Sequence, residues 1–186
     1  MPFRAYVLRE DLSVDTSRPV ALETLDALGW KIVSFANIQD AEEAAKKMTQ
    51  DHGFPLTPES FGIPFDFRLG APDLSPIIHA NKIILGQNKL FGVGLDSFGL
   101  LRSGTIFCDI EDVVSKNWIR VDLGPGQLFR IPAGAKCRMP WNNKPDEVPV
   151  GLWFLNGDLS DAKAMEEKEL DASPLRRAYL SGVKAI

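Results

Sequence analysis

This chain is short of the side chains from which most catalytic centres are built. Its 186 residues include two histidines, His52 and His79, and two cysteines, Cys108 and Cys137. Two cysteines do not make a disulfide framework, so both thiols are expected to be free in a reducing compartment. There is no basic run. The 21 Lys and Arg face 25 Asp and Glu, for a net charge of −4. That balance lacks the electrostatic footprint of a nucleic-acid binder. No apolar stretch approaches the roughly 20 residues that span a bilayer. The opening MPFRAYVLRE places Arg4 and Glu10 where a secretion signal needs an unbroken apolar core. No cofactor motif is present and none is expected. What remains is ordinary globular composition, 45% apolar and 25% charged. A chain of this length buries roughly 70% of its unfolded surface in one domain. The expectation is one cytoplasmic domain over 1–186, with a small-molecule substrate and neither nucleic acid nor membrane as partner. A homodimer is left open.

Several segments have a readable secondary structure. Residues 3–9 alternate weakly and predict a short edge strand. VALETLDAL (20–28) predicts a helix, with Pro19 suited to its first turn and Gly29 placed for a left-handed C-terminal cap. KIVSFA (31–36) is β-branched and aromatic, hence a strand. The next helix is predicted over 41–51, capped by Asp40 with Glu43 completing a capping box and Gly53 ending it. Residues 54–76 carry five prolines and read as one irregular loop, though Phe61, Phe65 and Phe67 are suited to burial. From 77 to 155 short runs rich in Ile, Val, Leu and Phe alternate with Gly, Pro, Asn and Asp turns. That spacing predicts a sandwich or small barrel. The tail, 156–186, returns to helix, with Glu166, Glu167, Lys168 and Glu169 on a solvated face.

Two of these segments, in order, carry a resemblance. RPVALETLDALGWKIVSF and the helix after it resemble the opening of the acireductone dioxygenases. GTIFCDIEDVVSKNWIRVDLGPGQLFRIPAG resembles the central cupin segment of that family. The resemblance implies a mainly β fold with N-terminal α/β decoration, a cupin double-stranded β-barrel of jelly-roll type, with its site inside the barrel. It also implies a ligand set: H-x-H and a Glu on one stretch, and a further His after the PAG turn, around one Fe(II) or Ni(II). Counting back from Asp109, this chain has Phe91 and Val93 at the two His positions, Ser97 at the Glu position and Cys137 at the last His position. A shifted alignment could instead place His79 and Asn81 in the H-x-H slots. On the direct count no metal is expected.

The candidates for chemistry follow from that loss. Cys137 could be a nucleophile, a weak acid or a soft ligand, though a thiol of pKa about 8.5 needs a partner to become reactive. It could equally be a small apolar filler. His79, between apolar residues, is the ring suited to proton shuttling near neutrality, or a packed core histidine. Asp96 on an apolar wall would be a general acid or base, and Arg102 could hold a carboxylate or enolate; alternatively both belong to a solvated turn. Phe91, Val93, Ser97, Phe129, Trp141 and Trp153 are candidates to line an apolar substrate pocket, or the ordinary core of a barrel. Together they point to a metal-independent cupin enzyme carrying out cyclisation, isomerisation or dehydration, chemistry that suits secondary metabolism. An oxygenase with unusual ligands (His79, Cys137 and a carboxylate) and a non-catalytic binding cupin are the alternatives.

Overall fold

The computed structural model describes residues 3–66, 89–140 and 147–183. Two antiparallel sheets face each other. Among the described residues the larger has seven strands, in the order β12 (Ala164–Glu166), β5 (Phe91–Val93), β10 (Cys137–Arg138), β7 (Ile106–Asp112), β8 (Asn117–Leu123), β1 (Arg4–Leu8) and β2 (Val14–Pro19), and the smaller has five, in the order β3 (Lys31–Ser34), β9 (Gln127–Ile131), β6 (Ser97–Ser103), β11 (Val150–Leu155) and β4 (Phe61–Asp66). β1 (Arg4–Leu8) and β2 (Val14–Pro19) form a hairpin. Contrary to the sequence expectation, β1 is not an edge, because β8 (Asn117–Leu123) pairs along its other side. The edge is β2, whose polar sequence VDTSRP has no apolar alternation to betray it. Charged and proline residues on an edge also discourage pairing with another chain.

Two helices precede the main barrel strands. α1 (Leu22–Ala27) is shorter than predicted, since Pro19 ends β2 rather than opening the helix. Gly29 takes φ +79°, as a left-handed cap requires. β3 (Lys31–Ser34) follows, then α2 (Ile38–Asp51). The cap of α2 is Asn37 and not Asp40: the Asn37 side chain accepts from the Asp40 N–H at 2.7 Å and donates to the Asp40 carboxylate at 2.6 Å. The cap thus falls one turn earlier than the Asp–Glu pair suggested, and it is half a capping box: the backbone N–H of Asp40 is satisfied, while the Asp40 carboxylate takes the Asn37 side-chain amide instead of a backbone N–H.

The expected loop over 54–76 contains a strand. β4 (Phe61–Asp66) lies at the edge of the five-stranded sheet beside β11 (Val150–Leu155). Its alternation is Phe61, Ile63, Phe65. Pro64, the residue that argued for a loop, is tolerated because an edge strand can spare one N–H. Residues 67–76 lie outside the described residues.

β5 (Phe91–Val93), β6 (Ser97–Ser103), β7 (Ile106–Asp112), β9 (Gln127–Ile131) and β10 (Cys137–Arg138) complete the barrel. The tail is not simply helical. β12 (Ala164–Glu166) pairs with β5 before α3 (Glu167–Ala172) and α4 (Pro174–Gly182). Nor is Glu167 only solvated, since it and Asp171 accept from the buried Lys136 ammonium at 3.0 Å each.

Strand alternation sorts the side chains into two cores. Cys108, Ile110, Ile119, Val121, Phe129, Ile131, Cys137 and Phe91 meet between the sheets. Phe98, Leu100, Leu128, Leu152 and Phe154 face the other way and pack with Ala41, Ala45 and Phe54 under α2. The five-stranded sheet is therefore buried on both faces, which explains the unbroken buried run along Ser97–Leu101. Each fully buried Phe or Leu in these layers contributes about 1.5–3 kcal/mol. On the outer face of β7 and β8, Asp109 is fully buried and accepts two hydrogen bonds from Arg120, at 2.6 and 2.8 Å.

Candidate functional site

The barrel interior brings most of the sequence-predicted pocket residues into one cluster. Phe91 and Cys137 are direct register partners on β5 and β10. Both are buried, at 2% and 0% exposure. Phe129 is buried with them, and the half-buried Val93 and Trp153 pack on the same core. Ser97 is also buried, at the start of β6.

The aromatic side of this interior is closed by ring packing. Gly99 pairs with Phe129 on one side and Trp153 on the other. A Cβ at Gly99 would stand 2.4 Å from Phe129 Cζ and 2.7 Å from Trp153 Cζ3. Trp153 also packs on Phe65, ring centroids 5.2 Å apart. Trp153 links this core to a smaller cluster of Ile63, Leu95, Leu155 and Leu159. The half-buried Val93 and Trp153 are thus the members of the predicted set that a ligand could reach first.

The sulfur side has its own logic. Cys137 pairs with Ile110, two residues beyond Cys108 on β7. The two thiols point to the same face, into the core between the sheets. Burial pushes the Cys108 thiol well up, and the Cys137 sulfur adds to the shift, so Cys108 is a neutral thiol near neutral pH. Lys136 and Arg138 flank Cys137 but point to the opposite face, where Lys136 meets α3 and Arg138 lies 3.5 Å from Asp109. Neither flanking cation therefore lies on the inner face with the Cys137 sulfur.

Two predicted catalytic residues are elsewhere. Arg102 alternates outward and bonds Glu42 of α2 at 2.7 Å; the structure does not bring it into the barrel. Asp96 is not on an apolar wall. It sits in the β5–β6 connection, accepting from Arg130 Nη2 at 2.9 Å and from the Ala133 N–H at 2.8 Å. Asp96 and Arg130 line a cleft of about 500 Å³ outside the inner core, between the C-terminal end of α1, the turn after β9 and the end of α4. Sequence reading missed Arg130 and Tyr179, which line this cleft. Their spacing from Asp96 in the chain gave no signal, since only pairing of β9 with β6 places Arg130 beside it. His79 and Trp141 lie outside the described residues.

Comparison with known proteins gives a fold and no family. No family model matches the chain, and no curated protein matches it. A solved structure, the acireductone dioxygenase from Bacillus anthracis with cadmium ion in active center, is similar over 86% of this chain and 94% of that one. Its TM-score is 0.59 and its identity 12%. The chain thus has a cupin fold, mainly β, built from two antiparallel sheets. At that identity the likeness extends to architecture alone.

The described residues do not fit the metal that the resemblance implies. The four that the direct count sets against the ligand positions, Phe91, Val93, Ser97 and Cys137, offer no imidazole and no carboxylate, and Phe91 and Cys137 directly face each other. Fe(II) and Ni(II) sites favour imidazole and carboxylate. Among the described residues no group of three His, Cys, Asp or Glu is placed to hold an ion.

Proposed function

We propose that this chain is a metal-independent cupin whose barrel takes a small, largely apolar organic molecule and promotes a non-redox change in it: cyclisation, isomerisation or dehydration. The observation that carries this reading is the Phe91–Cys137 pair, set in one apolar core with Val93, Phe129 and Trp153. Replacing imidazoles by Phe and Val turns a polar ion site into an oily one. Such a site works by holding a substrate in a reactive shape and excluding water, with one or two groups moving protons. Of the two groups the sequence offers for that task, Asp96 stands in the cleft outside the inner core, and His79, which lies outside the described residues, is the one we assign to it.

Two other readings compete. A non-catalytic binding cupin is favoured by the burial of both thiols, Cys108 at 1% and Cys137 at 0% exposure, in the apolar core that holds Phe91. An oxygenase with His79, Cys137 and a carboxylate as ligands would need iron or nickel. One experiment separates all three: purified protein is dialysed against a strong chelator, its metal content measured, and a library of small apolar compounds screened for saturable binding and conversion. Metal-free protein that binds and converts a compound supports the proposal. Binding without conversion points to the non-catalytic reading, and stoichiometric iron or nickel with loss of function on chelation overturns the proposal.

A further inference from the structure

The cleft beside Asp96 has a chemistry distinct from the barrel core. Its apolar wall is Leu28, Pro132, Ala133 and Val183, and its charged floor is Arg130 with Asp96. Arg130 has five N–H donors. Nη2 is used on Asp96 and Nε is sealed inside the protein, whereas Nη1 is neither buried nor hydrogen-bonded among the described residues. Asp96 is already satisfied, since its second oxygen takes the Ala133 N–H. The guanidinium is therefore under-used at the edge of a cavity that falls in the size range of small-molecule pockets. Lys31, directly opposite Arg130 across β3 and β9 and exposed, puts a second cation on the same sheet face. Like charges directly opposed across strands are unfavourable unless something compensates them. Asp26 stands exposed at the rim of the cleft. It would repel a multiply charged anion such as a phosphate more than a single carboxylate.

We propose that this cleft is a binding site for a small organic monocarboxylate. Its carboxylate is held by the guanidinium of Arg130, and its apolar body lies against Leu28, Pro132 and Val183. The site is independent of the reading given to the barrel. A carboxylate seated in the barrel would ignore Arg130 and respond to Val93→Phe instead.

The test is calorimetric titration of the full chain with benzoate and cyclohexanecarboxylate, against the uncharged benzamide. At least one carboxylate should bind saturably at one site, about tenfold or more tighter than benzamide. Arg130→Gln should weaken that binding by about tenfold or more, while Arg9→Gln, which removes one charge from the distant β1–β2 turn, leaves it unchanged. Amide resonances of Gly29 and Val183 should shift on binding. Should Arg130→Gln fail to fold, Arg130→Lys keeps the charge without the planar fork and should still lose several-fold in affinity. Equal affinity for benzoate and benzamide, no saturable binding by either carboxylate, or full affinity in the Arg130 variants would overturn the proposal.

Discussion

Phe129 and Trp153 meet edge to face over Gly99, with ring centroids 5.7 Å apart and planes inclined at 81°. Three adjacent strands contribute one residue each to this row. The glycine in the middle is what lets two rings close the barrel from neighbouring strands. A glycine inside a strand is weak on its own, so its presence here follows from the space that the rings take.

Gly99→Ala should therefore destabilise the protein by about 1–3 kcal/mol, through forced displacement of both rings. Chemical denaturation would read this directly. Trp153→Leu combined with Gly99→Ala should cost less than the sum of the two single changes, because the smaller side chain makes room for the new methyl group. Strict additivity would show that Gly99 is not shaped by Trp153.

Cys137 is expected to behave as packing. With 0% exposure and a neutral thiol neighbour, neither Cys108 nor Cys137 should react with a thiol-specific reagent in the folded protein, and both should react once it is unfolded. Cys137→Ala should cost about 1–2 kcal/mol from the lost sulfur volume and leave ligand binding in place. Fast labelling of one thiol under native conditions would restore Cys137 as a chemical group rather than a filler.

How far the sequence discloses this molecule depends on where the physical signal lies. β8 and β9 were plain because NWIRVDL and QLFRI alternate or run apolar between strong turns. β4 was hidden by Pro64, whose meaning reverses once the strand is known to be an edge. β2 was hidden by its polarity, and β10 by its length of two residues. In the barrel, the positions Phe91, Val93, Phe129, Cys137 and Trp153, which the sequence reading singled out, share one core because strand alternation turns them to the same face. Arg102 was misplaced by one step of alternation, which carries a side chain from the inner face to the outer. The Asp96–Arg130 pair joins positions 34 residues apart, and no local pattern announces such a partner.

Asp109 predicts a different kind of cost. It is fully buried on the outer face of β7, with both oxygens taken by Arg120 and Arg138 close by. Asp109→Ala would leave two arginines without their counter-charge, Arg138 already having buried N–H groups unpartnered. Removing one member of a buried pair costs about 3–5 kcal/mol. The expected outcome is a marginal or unfolded protein. Replacement of Asp109 and Arg120 together by Asn and Gln should recover part of that stability, which a double-mutant cycle would measure. A loss under about 1 kcal/mol for Asp109→Ala would place the pair with ordinary surface ion pairs.

Tyr179 links stability to alkaline pH. Burial pushes its phenol from the ordinary 10.0 up to about 12, and the nearby Trp30 and Arg176 only partly oppose the shift. Its hydroxyl donates to the Leu28 carbonyl at 3.0 Å. Below pH 10 the phenol is protonated in both folded and unfolded chains, and the contribution of the buried neutral ring is fully present. Between about pH 10 and 12 the unfolded chain loses the proton while the folded one keeps it, so stability falls as pH rises. Two units correspond to about 3 kcal/mol. Tyr179→Phe should be less stable than wild type near neutrality, by about 1 kcal/mol for the lost hydrogen bond. It should also lose stability less steeply above pH 10, so that the two denaturation curves converge and cross. Parallel loss in both proteins across that range would assign the alkaline transition to other groups and leave Tyr179 without a role in it.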